Sequence, residues 1–67
     1  MRIILNNREE EFEKQEMTIS ELLAEKNYTF RMLVIKVNNN LVKKEDYNST
    51  VITEGDNVSV IHLISGG

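Results

Sequence analysis

The stretch MTISELLAEK, residues 17–26, decides the fold. Thr18 is a helix N-cap, whose side-chain oxygen accepts from the backbone amides of the first turn. Glu21, three residues on, reaches back to the cap's own amide, and the two form a capping box. Met17 and Leu22 stand at the two positions of a hydrophobic staple. Ile19, Leu22 and Leu23 then give the i, i+3, i+4 stripe of a helix with one buried face. Asn27 is its stop. One short helix with one apolar stripe needs a sheet to cover that stripe.

Both flanks read as strand. Upstream, MRIILN (1–6) puts Met1, Ile3 and Leu5 on one face and Arg2, Ile4 and Asn6 on the other. NNR (6–8) is a tight turn, because Asn tolerates the positive φ such turns require. EEEFEKQ (9–15) is a charged return strand with Phe12 as its inward anchor, and its glutamates discourage edge-to-edge pairing. Downstream, NYTFRM (27–32) has no period and reads as a loop, with Tyr28 and Phe30 covering the core. LVIKVN (33–38) alternates, NNN (38–40) turns, and LV (41–42) resumes a short strand. KKEDYNST (43–50) is polar and irregular, with one short helical turn. VITEGDN (51–57) ends in a turn where Gly55 supplies positive φ. NVSVIHLI (57–64) is the last strand, with Val58 and Val60 on one face and Ser59, Ile61 and Leu63 on the other.

The order is strand, strand, helix, strand, short strand, strand. It predicts an α+β roll: a mixed sheet of about four to five strands on one main helix, in a single domain over residues 1–67. The long excursion between the first and last strands allows a crossover, so they are expected side by side and parallel at the centre.

Composition excludes several functions. The net charge is −3, and the acids crowd early, at Glu9, Glu10, Glu11, Glu13, Glu16, Glu21 and Glu25. A nucleic-acid partner requires a basic stripe. Lys43–Lys44 is too small for one and reads as a solvated turn. With no cysteine there is no disulfide, thiol nucleophile or thiolate metal site. Three successive glutamates on a strand split between its faces, so no metal site is expected there. Gly55 belongs to no phosphate-binding pattern. His62, the one histidine, has no nucleophile or orienting carboxylate that the sequence identifies, and reads as a packing or surface residue. No stretch is long enough to span a membrane. MRIILNN lacks the apolar region of a signal peptide, so a cytoplasmic location is expected, without membrane or nucleic-acid partners.

That leaves the tail, where Gly66 and Gly67 follow directly on the final strand. Glycine opens the whole φ/ψ map, so residues 65–67 are expected to be flexible. Without Cβ atoms the tail fits a narrow channel in another protein, and nothing hinders attack at the Gly67 carbonyl carbon. A carboxylate is a poor electrophile until an ATP-using partner adenylates it. Ile61 and Leu63, with Val34 on a nearby strand, form an apolar docking patch beside the tail.

The chain resembles the ThiS-type sulfur carriers, small members of the ubiquitin-like β-grasp superfamily. The likeness runs the whole length and is carried by MRIILNN, TISELL, VNNNLV and EGDNVSVIHLISGG. It implies a cycle in which a ThiF-like enzyme, using ATP and magnesium, adenylates the carboxylate of Gly67. Sulfur from a cysteine desulfurase or other persulfide donor then gives a thiocarboxylate, and a ThiG-like thiazole synthase takes that sulfur for the thiazole of thiamin. By the same resemblance Gly67 bears the sulfur, while Gly66 and Ser65 keep the approach narrow. The carrier is then a co-substrate rather than an enzyme, with no bound cofactor. Four positions depart from the pattern. Ser65 replaces a small apolar residue, Lys43 stands where proline is common, and Ser59 and Ile61 replace bulkier apolar residues. The competing readings are a carrier for molybdopterin, cysteine or tRNA thiolation, a ubiquitin-like protein modifier, and a binding module whose tail is incidental.

Overall fold

The computed structural model describes residues 1–29 and 32–63. Phe30 and the tail at 65–67, each given a role above, lie outside these residues. Strands β1 (Arg2–Leu5), β2 (Arg8–Glu11), β4 (Leu33–Val37), β5 (Asn40–Val42) and β7 (Asn57–His62) form one sheet in the order β2-β1-β7-β4-β5. β1 and β7 pair in parallel, and every other pair in this sheet is antiparallel. The expected α+β roll, with its parallel first and last strands at the centre, is what forms.

Asparagine makes the sharp turns. Asn6 and Asn7 join β1 to β2 with φ of 50° and 68°, and Asn38 and Asn39 join β4 to β5 with φ of 51° and 70°. Two-residue loops with both φ positive match the right-handed twist of the flanking strands. Asn27 has φ of 59°, so every non-glycine residue at positive φ among the described residues is an asparagine. Its short polar side chain bonds locally and visits this region at lower cost than other L-residues. Gly55, at φ 86°, turns the chain into β7.

Helix α1 (Ile19–Glu25) has all four of its leading amides satisfied, where an unaided helix leaves them orphaned. The Thr18 amide donates to Glu21 Oε1 at 2.8 Å and the Glu21 amide to Thr18 Oγ1 at 3.1 Å, which is the capping box. The amides of Ile19 and Ser20 donate to the carbonyls of Thr50 and Tyr47, both at 3.0 Å. At the other end the Tyr28 amide reaches the Leu23 carbonyl and the Asn27 amide that of Ala24. This is a Schellman motif, and its hydrophobic pair, Leu23 and Tyr28, packs against the core.

The capping box titrates. The Thr18 amide holds the Glu21 carboxyl below the usual glutamate range, and the charge of Lys14, 3.4 Å away, adds to this. A carboxyl lowered by folding stabilises the fold above its unfolded value, about 4.3 for glutamate. That contribution is lost as pH falls through the lowered value. Glu21→Gln should therefore flatten the fall in melting temperature on acidification below about pH 5. A variant as acid-sensitive as the wild type would show that the cap contributes nothing to acid lability.

The helix covers one face of the sheet. Ile3 and Leu5 of β1, Ile35 of β4, Val42 of β5 and Val58 and Val60 of β7 meet Ile19 and Leu22 of α1 in a buried apolar core. A second sheet pairs β3 (Glu16–Thr18) with β6 (Val51–Thr53), and its centre, Met17 opposite Ile52, is fully buried in the same core. The sequence reading has no counterpart for these two strands. It takes Met17 only as a staple and residues 51–53 only as the approach to a turn. Three residues are too few for alternation to register, and the partners lie far apart along the chain.

Candidate functional site

The outward side of β7 builds the site. Asn57–His62 runs through the sheet with Val58 and Val60 buried, which turns Ile61 to the opposite face. β4 lies antiparallel beside it, with Val34 directly opposite Ile61. The ladder continues past the last residue of β7, because the Leu63 amide donates to the Met32 carbonyl at 2.9 Å. On its other side β7 outruns β1. There the side chain of Asn6 takes over, its Oδ1 accepting from the Val60 amide at 2.8 Å. The backbone is thus held on both sides as far as Val60, and on the β4 side as far as Leu63.

Five large apolar side chains among the described residues are exposed: Met32, Leu41, Val51, Ile61 and Leu63. Four of the five gather here, since only Val51 lies elsewhere, on β6. Leu41 is the most exposed, at 62 %. Val34 is half-buried between its neighbours. A groove of about 670 Å³ opens at this end of the molecule, with Tyr28, Leu33 and Tyr47 inside and Val34, Leu41 and Leu63 along it.

The structure therefore places Ile61, Leu63 and Val34 together on adjoining strands. Ser65, Gly66 and Gly67 lie outside the described residues. His62 is exposed at the end of β7, opposite Leu33. The glutamates of β2 split between faces as expected: Glu9 and Glu11 lie 3.6 and 3.8 Å from Arg2, while Glu10 pairs with Lys26 of the helix end at 3.0 Å. Among the described residues no three His, Cys, Asp or Glu side chains converge on one point. The sequence reading missed Met32, Leu41 and Tyr47. Alternation in NLV does point Leu41 outward, but Met32 and Tyr47 sit in irregular stretches where no period assigns a face.

A domain of this size, with an apolar patch at the exit of its last strand and a Gly-Gly tail beyond, invites comparison with known families. The family model for ThiS matches residues 1–67. The chain belongs to the ThiS family. ThiS proteins are carriers rather than enzymes, and their general role is sulfur carriage in thiamin biosynthesis. The chain is 25% identical over 63 residues to the sulfur carrier protein ThiS of Bacillus subtilis, covering 94% of this chain and 96% of that protein. It is also 28% identical over 67 residues to a thiazole synthase of Paramagnetospirillum magneticum, where the match takes in all of this chain but 20% of that protein. The crystal structure of a thiamine biosynthesis protein (ThiS) from Geobacter metallireducens superposes with a TM-score of 0.89 over the whole of both chains, at 19% identity. A solution structure of a thiamine biosynthesis protein from the same organism gives 0.80, covering 88% of that chain. At such identity the structural likeness speaks for the ThiS fold alone.

Proposed function

We propose that this chain carries sulfur on the carboxyl group of Gly67. A ThiF-like enzyme transfers AMP from ATP to the carboxylate, releasing pyrophosphate, with magnesium held by the enzyme. The acyl adenylate is then open to attack, and a sulfur nucleophile displaces AMP. If the donor is a persulfide, its terminal sulfur takes the acyl group and a further thiol must reduce the S–S bond before the thiocarboxylate is free. The thiazole synthase is the acceptor. ATP-dependent activation suits a cytoplasmic cycle.

The observation that carries this reading is the family match over all 67 residues, ending in Gly66-Gly67. The chemistry of the residues agrees with it. The tail brings no Cβ to a partner's channel, and Ser65 adds only a hydroxymethyl group. Ile61, Val34 and Leu63 lie where a partner holding the tail would touch the sheet. Thiazole synthesis is favoured over other acceptors by the P. magneticum thiazole synthase, a protein with a segment similar to this whole chain.

The test is an intact-mass spectrum after incubation with ATP, magnesium, the ThiF-like enzyme of the same organism and a sulfide or persulfide source. The expected result is a gain equal to replacing one oxygen by sulfur. No gain with an enzyme active on its own cognate carrier would overturn the proposal. A ladder of larger adducts would replace it with protein modification.

A further inference from the structure

The groove carries an unbalanced charge. Lys14 and Lys26 pair with Glu21 and Glu10, and Arg2 lies between Glu9 and Glu11. Lys43 and Lys44 line the groove, and neither makes an ion pair with any described residue. Glu45 and Asp46, their nearest acidic neighbours in sequence, are exposed but do not line it. In a chain of net charge −3, this apolar groove is therefore lined, among the described residues, by two cations and no carboxylate. Lys43 precedes and Lys44 opens a short 3-10 helix (Lys44–Asp46), which fixes both backbones beside the end of β5.

We propose that this groove receives a large apolar side chain from an acidic segment of the enzyme that acts on the tail, with Lys43 and Lys44 pairing with the carboxylates beside it. The inference rests on the carrier reading and adds to it the chemistry of the partner. The groove is continuous with the Ile61 face through Val34 and Leu63, so one partner covers both while holding the tail. Inside, Tyr28, Leu33 and Tyr47 offer an apolar surface suited to an aromatic or branched aliphatic anchor. The charge pattern fixes orientation: an acidic segment is attracted to Lys43 and Lys44 but repelled by Glu9 and Glu11 on the far edge of the sheet. Wrong dockings are thereby penalised as well as the right one favoured.

The test uses the full chain and the ThiF-like enzyme of the same organism, with tail adenylation and equilibrium affinity both measured. The double variant K43E/K44E should fold and melt as the wild type does, because both side chains are exposed. Its affinity should fall by about tenfold or more at low salt. The difference should shrink at about 0.5 M salt, where exposed charges are screened. Arg8→Glu reverses another exposed cation, on β2 at the opposite edge of the sheet from β5, and should change affinity by less than about twofold. Leu41→Ser, which trims the apolar wall, should weaken binding in a way that salt does not relieve. Unchanged affinity of K43E/K44E, or an equal loss for Arg8→Glu, overturns this inference and leaves the carrier reading standing. Failure of the wild type to be adenylated at all removes the carrier reading and this inference with it.

Discussion

Replacing Gly67 by Ala should slow adenylation of the chain by about a hundredfold while leaving its melting temperature unchanged. The residue contributes no side chain to the core, whose last buried member among the described residues is Val60. What changes is confined to the reacting end. A methyl group appears beside the carbonyl carbon that must be approached, and the residue loses most of its freedom at positive φ. A displacement of about 1 Å at a reacting centre is enough for a loss of this size. Deleting Gly67 goes further, because it moves the carboxylate back by a residue, and no sulfur should be gained. Intact-mass kinetics on the three chains, with calorimetry alongside, separate the two effects. Equal adenylation of Gly67→Ala and wild type would mean that the partner's channel does not read the last residue. A lowered melting temperature would mean that the tail is part of the folded domain.

The second large effect is on stability. Ile52→Ala should cost about 2–5 kcal/mol. Ile52 is completely buried and lies opposite Met17 in the β3–β6 pair, so the cavity opens between the small sheet and the helix. A chain of 67 residues has a total stability of about 3–10 kcal/mol, at about 0.05–0.15 kcal/mol per residue. One truncation thus removes a large share of the whole. Melting should fall by about 10 °C or more, given about 4–8 °C per kcal/mol in a domain this small. Val51→Ala, next in the same strand but exposed, should stay within about 0.5 kcal/mol. A loss below about 1 kcal/mol at Ile52 would mean that the small sheet does not seal the core.

These two residues also mark what could be read from the chain and what could not. Local chemistry was legible. The Thr18–Glu21 box, the Met17–Leu22 staple and the Asn27 stop are interactions among residues a few positions apart, so spacing alone specifies them. The asparagine turns follow from positive φ, which few other side chains tolerate. Alternation in 33–38 and 57–62 assigned the buried and outward faces of β4 and β7, because a strand's side chains point to opposite sides in turn. From this the helix, the main sheet and the outward Ile61 followed. The role proposed for the Gly-Gly end rests on resemblance to a known family.

Tertiary structure decided the rest. β3 and β6 exist because Met17 and Ile52 find each other across 34 intervening residues of the chain. Segments of three residues have no intrinsic stability as strands and acquire it only from the partner and the core beneath. The groove has the same origin. Tyr28 closes a helix, Leu33 opens β4, Tyr47 follows a 3-10 turn and Leu63 follows β7, and only the closing of the sheet over the helix brings the four to one place. Lys43 and Lys44 read in sequence as a solvated turn, which they are by exposure. Their significance comes from the apolar surface that folding sets beside them. Short-range rules act between neighbours in the chain, and the grooved end of this molecule is built from residues that are neighbours only in space.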